Sequence, residues 1–136
     1  MPLNIFIVED HPIMRAVLTE IFRDEPGFTV CGWATSGEDA VDLLAEVAAD
    51  VVLVDVSLPE MNGIDLIHAL MEQSPGLRCL VLSGHGETSY IQRALDAGAR
   101  GYVLKGDPYE LPGAIQQVAH GDRYFSEPIR HKVPGP

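Results

Sequence analysis

Residues 51–55 read Val-Val-Leu-Val-Asp: four aliphatic side chains, three of them β-branched, running straight into a carboxylate. A strand that is apolar on both faces needs cover on both faces. It therefore belongs in the middle of a parallel sheet sandwiched between helices. Ligands of such sheets sit outside the carboxyl ends of the strands, the end from which Asp55 projects. Three more apolar runs end in reactive side chains: 3–8 runs into Glu9-Asp10, 77–82 into Ser83, and 101–104 into Lys105.

Strand and helix signals alternate five times. After strand 3–8, Pro12 suits a first helical position, and Met14, Val17, Leu18 and Ile21 keep helical spacing. Strand 29–33 leads to Ser36-Gly37-Glu38-Asp39, a capping-box pattern opening a helix with Ala40, Leu43, Leu44 and Val47 on one face. Strand 51–54 passes through Pro59 and the turn pair Asn62-Gly63 into a helix with Ile64, Ile67, Leu70 and Met71 inward, which Ser74-Pro75-Gly76 ends. Strand 77–82 leads through Gly84-His85-Gly86 to a helix capped near Thr88 or Ser89 and stopped by Gly98. Strand 101–104 precedes a last helix after Asp107-Pro108 that ends near Gly121. Pro112-Gly113 in its first turns predicts a distorted or late start, near Leu111 or Pro112.

Five βα units predict an α/β fold: a flavodoxin-like (βα)5, doubly wound parallel sheet of strand order 2-1-3-4-5. Strands 1 and 3 are then neighbours, and Glu9, Asp10 and Asp55 converge. The 136 residues suit one domain. Residues 124–136 carry three prolines and mixed charge and read as a linker or a poorly ordered end. No apolar run approaches the ~20 residues of a membrane span. The Met-Pro-Leu-Asn start lacks a signal-peptide pattern, so a soluble cytoplasmic protein with no membrane contact is expected. Nine Lys+Arg stand against 20 Asp+Glu, a net charge of -11, which argues against direct nucleic-acid binding. Cys31 and Cys79 fall in separate strands without CxxC spacing and read as buried thiols.

Three carboxylates held close repel one another, each pair about 4 Å apart by roughly 4 kcal/mol at an effective dielectric near 20. A hard divalent cation relieves this better than a proton. Mg2+ takes oxygen ligands and is held by one or two carboxylates plus phosphate oxygens. Lys105 would add a movable positive charge and Ser83 a hydroxyl for an anion. Together they make a phosphoryl pocket beside a nucleophilic carboxylate. Taken singly, each residue has a plainer role: Glu9-Asp10 as a helix cap, Asp55 as a loop acid, Ser83 as a turn residue, Lys105 as a solvated lysine. Their shared position after adjacent strand ends favours the pocket.

Val8-Glu9-Asp10-His11-Pro12, the run from Asp55-Val56-Ser57 to Leu58-Pro59-Glu60-Met61-Asn62-Gly63, Val81-Leu82-Ser83-Gly84 and Gly101-Tyr102-Val103-Leu104-Lys105 together resemble the receiver domain of two-component response regulators. The resemblance covers residues 3–121. It implies that Asp55 accepts a phosphoryl group from a histidine kinase. Glu9, Asp10, Asp55 and the backbone carbonyl of Ser57 would hold Mg2+ (or Mn2+). Lys105 would contact the phosphoryl group and Ser83 would be the switch hydroxyl. Tyr102 would be the switch aromatic, turning inward when Ser83 moves. The face of the fourth helix, fifth strand and fifth helix would be the output surface, with a homodimer or a downstream protein as its partner. The side chains of Ser57 and His85 would flank the phosphoryl group and tune its lifetime. His85 between two glycines also reads as a plain exposed loop residue. Gly106 stands after Lys105 where many receivers have proline, so a cis bond is not assumed.

Asp10-His11-Pro12, the run Ala97-Gly98-Ala99-Arg100-Gly101-Tyr102 and Gly121-Asp122-Arg123-Tyr124-Phe125-Ser126 are similar to the NarL/FixJ subfamily, whose members usually continue into a LuxR-type DNA-binding domain. The expected division is 1–121 as receiver and 122–136 as a tail or the start of a linker to an output domain. The resemblance implies a phospho-accepting switch, not a metabolite-processing enzyme, that controls transcription. The alternative is a stand-alone receiver acting by phosphorelay or protein binding. A haloacid-dehalogenase-type phosphatase would need a second Asp at position 57, where Ser57 stands. A flavodoxin-type flavin carrier would need a phosphate cradle where Glu9-Asp10 stands. A phosphorylation-independent interaction domain has no need of the acid cluster.

Overall fold

A computed structural model describes residues 2–57 and 61–133. Leu58, Pro59 and Glu60 of the motif after Asp55 lie outside the described residues, as do Pro134, Gly135 and Pro136.

The first strand, β1 (Leu3–Val8), sits at the centre of the topology and pairs in parallel with β2 (Phe28–Ala34) on one side and β3 (Val51–Asp55) on the other. Beyond β3 follow β4 (Arg78–Ser83) and β5 (Gly101–Leu104), so the expected order 2-1-3-4-5 holds. A sixth strand, β6 (Tyr124–Phe125), extends the sheet past β5, again in parallel. That strand and a following 3-10 segment, Glu127–Lys132, correct the reading of the tail as poorly ordered: Ile129 is 2% exposed and Ser126 1%. Two residues carry too little periodicity to announce a strand, and the partner that orders them lies about 20 residues back.

Alternate strand positions feed two cores. On one face Phe6, Val8, Val52, Val54 and Val81 pack against α2 (Gly37–Leu44), α3 (Gly63–Gln73) and α4 (Thr88–Ala97). On the other Ile5, Ile7, Leu53, Leu80 and Leu82 pack against α1 (Pro12–Arg23) and α5 (Leu111–Ala119). All five residues of β3 are buried, as its unbroken apolar run requires.

Helix ends follow local chemistry. Ser36 accepts the Asp39 N–H at 3.2 Å and Asn62 Oδ1 accepts the Asp65 N–H at 2.9 Å, satisfying first-turn donors. Gly98 closes α4 at φ 113°, a left-handed conformation that favours glycine. Helix α4 starts at Thr88 after Glu87, without a side-chain cap. Helix α2 ends at Leu44, which leaves Leu43 40% exposed and Val47 beyond the helix, against the expectation for both. Met71 is partly buried, and so is Cys31, whereas Cys79 is fully buried; both cysteines are free. Before α5 the chain makes one 3-10 turn, Pro108–Glu110, and regular helix begins at Leu111, the late start that Pro112-Gly113 predicts.

Candidate functional site

The carboxyl ends of β1, β3, β4 and β5 bring the four predicted side-chain groups to one end of the sheet. Glu9 continues β1, and its N–H donates to Ala34 O at 3.0 Å. Asp55 is the last residue of β3, and both acids are 1% exposed. Asp10 lies at the rim with 28% of its side chain exposed. The Lys105 N–H donates to Ser83 O at 2.9 Å, which fixes β5 beside β4 at this end. Its Nζ then reaches Asp55 Oδ2 at 3.1 Å and Glu9 Oε1 at 3.7 Å.

Asp55 is held from both sides. Its Oδ1 accepts the Ser57 N–H at 3.0 Å, and its Oδ2 faces Lys105. Burial pushes its carboxyl up, but hydrogen bonding with Glu9 and Ser57 and the charge of Lys105 outweigh this and hold it below the ordinary value. Glu9 moves the other way. Burial, then its hydrogen bond to Asp55, raises it from 4.5 to about 7. The two acids thus shift in opposite directions, Glu9 toward the protonated form and Asp55 toward the carboxylate.

His11, to which no separate role was assigned from the sequence, enters the same cluster. As the residue preceding α1 it points its Nδ1 at Glu9 Oε2 (3.0 Å), Asp10 Oδ1 (3.2 Å) and Asp55 Oδ2 (3.3 Å). The hydrogen bond to Glu9 raises its pKa. The signal that could have found it is its place directly after the acid pair. Neither Glu9 nor Asp10 caps α1: the capping position is His11, with no side-chain cap.

Glu9 Oε1, Asp10 Oδ1 and Asp55 Oδ2 are buried and complete no well-aligned hydrogen bond, facing only the Lys105 ammonium and the His11 ring. Ligand atoms of Glu9, Asp10, His11 and Asp55 all lie within 4.8 Å of one another. Buried oxygens with unfilled hydrogen-bonding capacity, converging at that spacing and mostly from carboxylates, fit a hard divalent cation such as Mg2+.

Next to this cluster, Ser83 is fully buried and its Oγ accepts the His85 N–H at 2.9 Å. Tyr102 is also fully buried, and its hydroxyl donates to His85 O at 2.5 Å. The aromatic expected to turn inward when Ser83 moves is therefore already inward, because the His85 carbonyl offers its hydroxyl a buried partner. The His85 ring does not join the acid cluster. It stacks on Tyr90 (centroids 4.8 Å apart, planes 19° apart) with 47% of its side chain exposed. With Ser57, Asn62, Tyr90 and Arg93 it lines a cavity of about 210 Å3. Gly106 follows Lys105 through a trans peptide.

Residues 5–116 match the family model of the response regulator receiver domain. The chain is 35% identical over 132 residues to the transcriptional regulatory protein DegU of Brevibacillus brevis, covering 96% of this chain and 56% of that protein. It is 34% identical to the response regulator UvrY of Escherichia coli K12, covering 96% and 61%. It thus spans roughly three-fifths of the length of these curated relatives. Among solved structures, a LuxR-family two-component response regulator from Aurantimonas sp. SI85-9A1 superposes with a TM-score of 0.92 at 32% identity, over 97% of this chain and 95% of that one. The isolated REC domain of RcsB from Salmonella enterica serovar Typhimurium, in the presence of phosphomimetic BeF3-, gives 0.88 at 25% identity, over 98% and 100%.

Proposed function

Because this chain belongs to the family of response regulator receiver domains, we propose that its Asp55 accepts a phosphoryl group from a histidine kinase and that the face of α4, β5 and α5 passes the change on. Receiver domains are signalling switches that work with histidine kinases and hold Mg2+ in an acidic pocket. The observation that carries the reading here is the setting of Asp55: buried, one oxygen fixed by the Ser57 N–H and the other 3.1 Å from Lys105 Nζ.

In this reading an Asp55 oxygen attacks the phosphorus of the donor. An O–P bond forms as the bond to the donor's imidazole nitrogen breaks, giving an acyl phosphate. Lys105 would follow the incoming charge and pair with a phosphoryl oxygen. Glu9, Asp10, Asp55 and the backbone carbonyl of Ser57 would hold Mg2+ (or Mn2+), which when bound supplies positive charge to the equatorial phosphoryl oxygens. The Ser83 hydroxyl donates to a phosphoryl oxygen and His11 swings out of the cluster. Tyr102 then changes by what holds it, not by entering the core. Ser57 and His85 flank the group and set how long it lasts.

The output would be control of transcription, the role that the name of the relative DegU gives for that protein. Residues 1–121 would be the receiver, and 122–136 would lead toward an output domain, with 124–132 packed on the receiver. A homodimer or a downstream protein would use the α4–β5–α5 face. No helix among the described residues is long and apolar enough to cross a membrane, which suits a cytoplasmic regulator. A stand-alone receiver acting by relay or protein binding is the other output, and the site chemistry is the same for both.

The test is intact mass after incubation with acetyl phosphate and Mg2+. Wild type should gain about 80 Da, one phosphoryl group on a carboxylate. Asp55→Asn, and wild type in excess chelator, should gain nothing. An equal gain in Asp55→Asn, or none in any sample, would sink the assignment.

A further inference from the structure

The segment after α5 grips the loop beside the switch hydroxyl. Ser126 lies fully inside: its N–H donates to Tyr102 O at 3.1 Å, and its Oγ accepts the Leu104 N–H at 2.9 Å and donates to Glu110 Oε2 at 2.9 Å. The Tyr124 hydroxyl donates to the other oxygen of Glu110 at 2.7 Å. Past this anchor the 3-10 segment crosses to the loop between β4 and α4. Ile129 is buried in the same core as Tyr102 and Ile91. Its Cγ2 would stand 3.4 Å from a Cβ added at Gly86, and Lys132 Nζ donates to Gly86 O at 2.8 Å.

Two consecutive carbonyls are thus held from two directions. His85 O takes the hydroxyl of Tyr102, while its N–H is held by Ser83, and Gly86 O takes Lys132. We infer that residues 124–132 form a strap whose docking is coupled to the Ser83–Gly86 loop, so that the state of the Asp55 site reaches the C-terminal segment through this loop. When Ser83 Oγ turns to an anion at Asp55, the His85 N–H loses its acceptor. The backbone from His85 to Gly86 then reorients, and the Gly86 carbonyl that Lys132 holds moves with it. Close packing of Ile129 leaves the strap two discrete choices, docked or displaced, rather than a gradual drift. Coupling is reciprocal, so loosening the strap must loosen the loop. The direction of signalling rests on the receiver reading; the coupling itself does not.

Hydrogen exchange by mass spectrometry on the intact chain tests both. In unmodified protein, Ile129→Ala and Lys132→Ala should each speed exchange of the 83–87 peptide about fivefold or more, with the peptides of α1 and α2 unchanged. Ser83→Ala should speed exchange in 126–132. Faster exchange in 126–132 with none in 83–87 overturns the coupling. If Ile129→Ala loosens the whole domain, Lys132→Ala, which removes only a half-buried ammonium at the segment's end, decides alone. With acetyl phosphate and Mg2+, an 80 Da gain (about one phosphoryl group) should come with altered exchange at 126–132. A gain without that change overturns the strap as the output path and leaves the receiver reading intact. No gain overturns the receiver reading, and the mutational result still decides the coupling.

Discussion

At the scale of single residues, the raised pKa of Glu9 has a measurable sign. Glu9 titrates at 4.5 when solvated and at about 7 in the fold, mainly because burial disfavours its charge. It therefore binds a proton on folding between those values. Its contribution to stability is complete below pH 4.5 and lost as pH rises through about 7. Glu9→Gln keeps the neutral form at every pH. In chelator, the melting temperature of Glu9→Gln relative to wild type should rise between about pH 5 and pH 8, and equal differences at both ends would contradict the raised pKa of Glu9. Glu9, Asp10, Asp55, Ser83 and Lys105 were legible in the sequence as a group because each directly follows, or ends, an apolar strand, and parallel topology brings those ends together. His11 was not. The direction of a side chain at a helix entry depends on φ and ψ of that residue, here -81° and 118°, and no periodicity encodes them.

At the scale of elements, α3 is pressed against the site it follows. A Cβ at Gly63 would stand 2.5 Å from Asp55 O and 2.8 Å from Val56 Cα, both backbone atoms that cannot step aside. The Gly63 N–H donates to Val56 O at 3.1 Å, tying the helix start to the turn that carries Asp55. Gly63→Ala should cost about 1–3 kcal/mol by overpacking and slow phosphoryl uptake as well. Asn62→Ala, one residue earlier, should cost only about 1 kcal/mol through its lost cap and leave uptake near wild type. Chemical denaturation together with the acetyl-phosphate mass assay separates the two. Equal uptake in both variants would mean that the helix start does not position Asp55. Strong local signals, such as the cap at Ser36, the turn at Asn62-Gly63, the stop at Gly98 and the Pro112-Gly113 break, read correctly from sequence. Leu43 and Val47 did not, because helical spacing says which residues share a face but not where the helix stops.

At the scale of the molecule, charge is unevenly spread. Ten acidic residues and two arginines fall in residues 1–50, whereas residues 51–136 hold ten acids and seven Lys or Arg. The β1–α2 half thus carries most of the net charge of -11. Self-repulsion of that kind weakens the folded state and is screened by salt. Raising ionic strength from about 0.01 M to 0.15 M shortens the screening length from about 30 Å to about 8 Å. The melting temperature in chelator should rise with it, and a fall would show that favourable ion pairs dominate instead. The sixth strand has its own consequence at this scale. Without it, β5 would present a bare row of amides and carbonyls at the border of the sheet, an open template on which another molecule's strand could grow. The Tyr124 N–H takes the carbonyl of Arg100, the Ser126 N–H that of Tyr102, and the Ser126 hydroxyl takes the amide of Leu104. Because this cover is only two residues long, it seals the border while offering almost no new edge of its own, which guards the protein against end-on sheet growth and aggregation at high concentration.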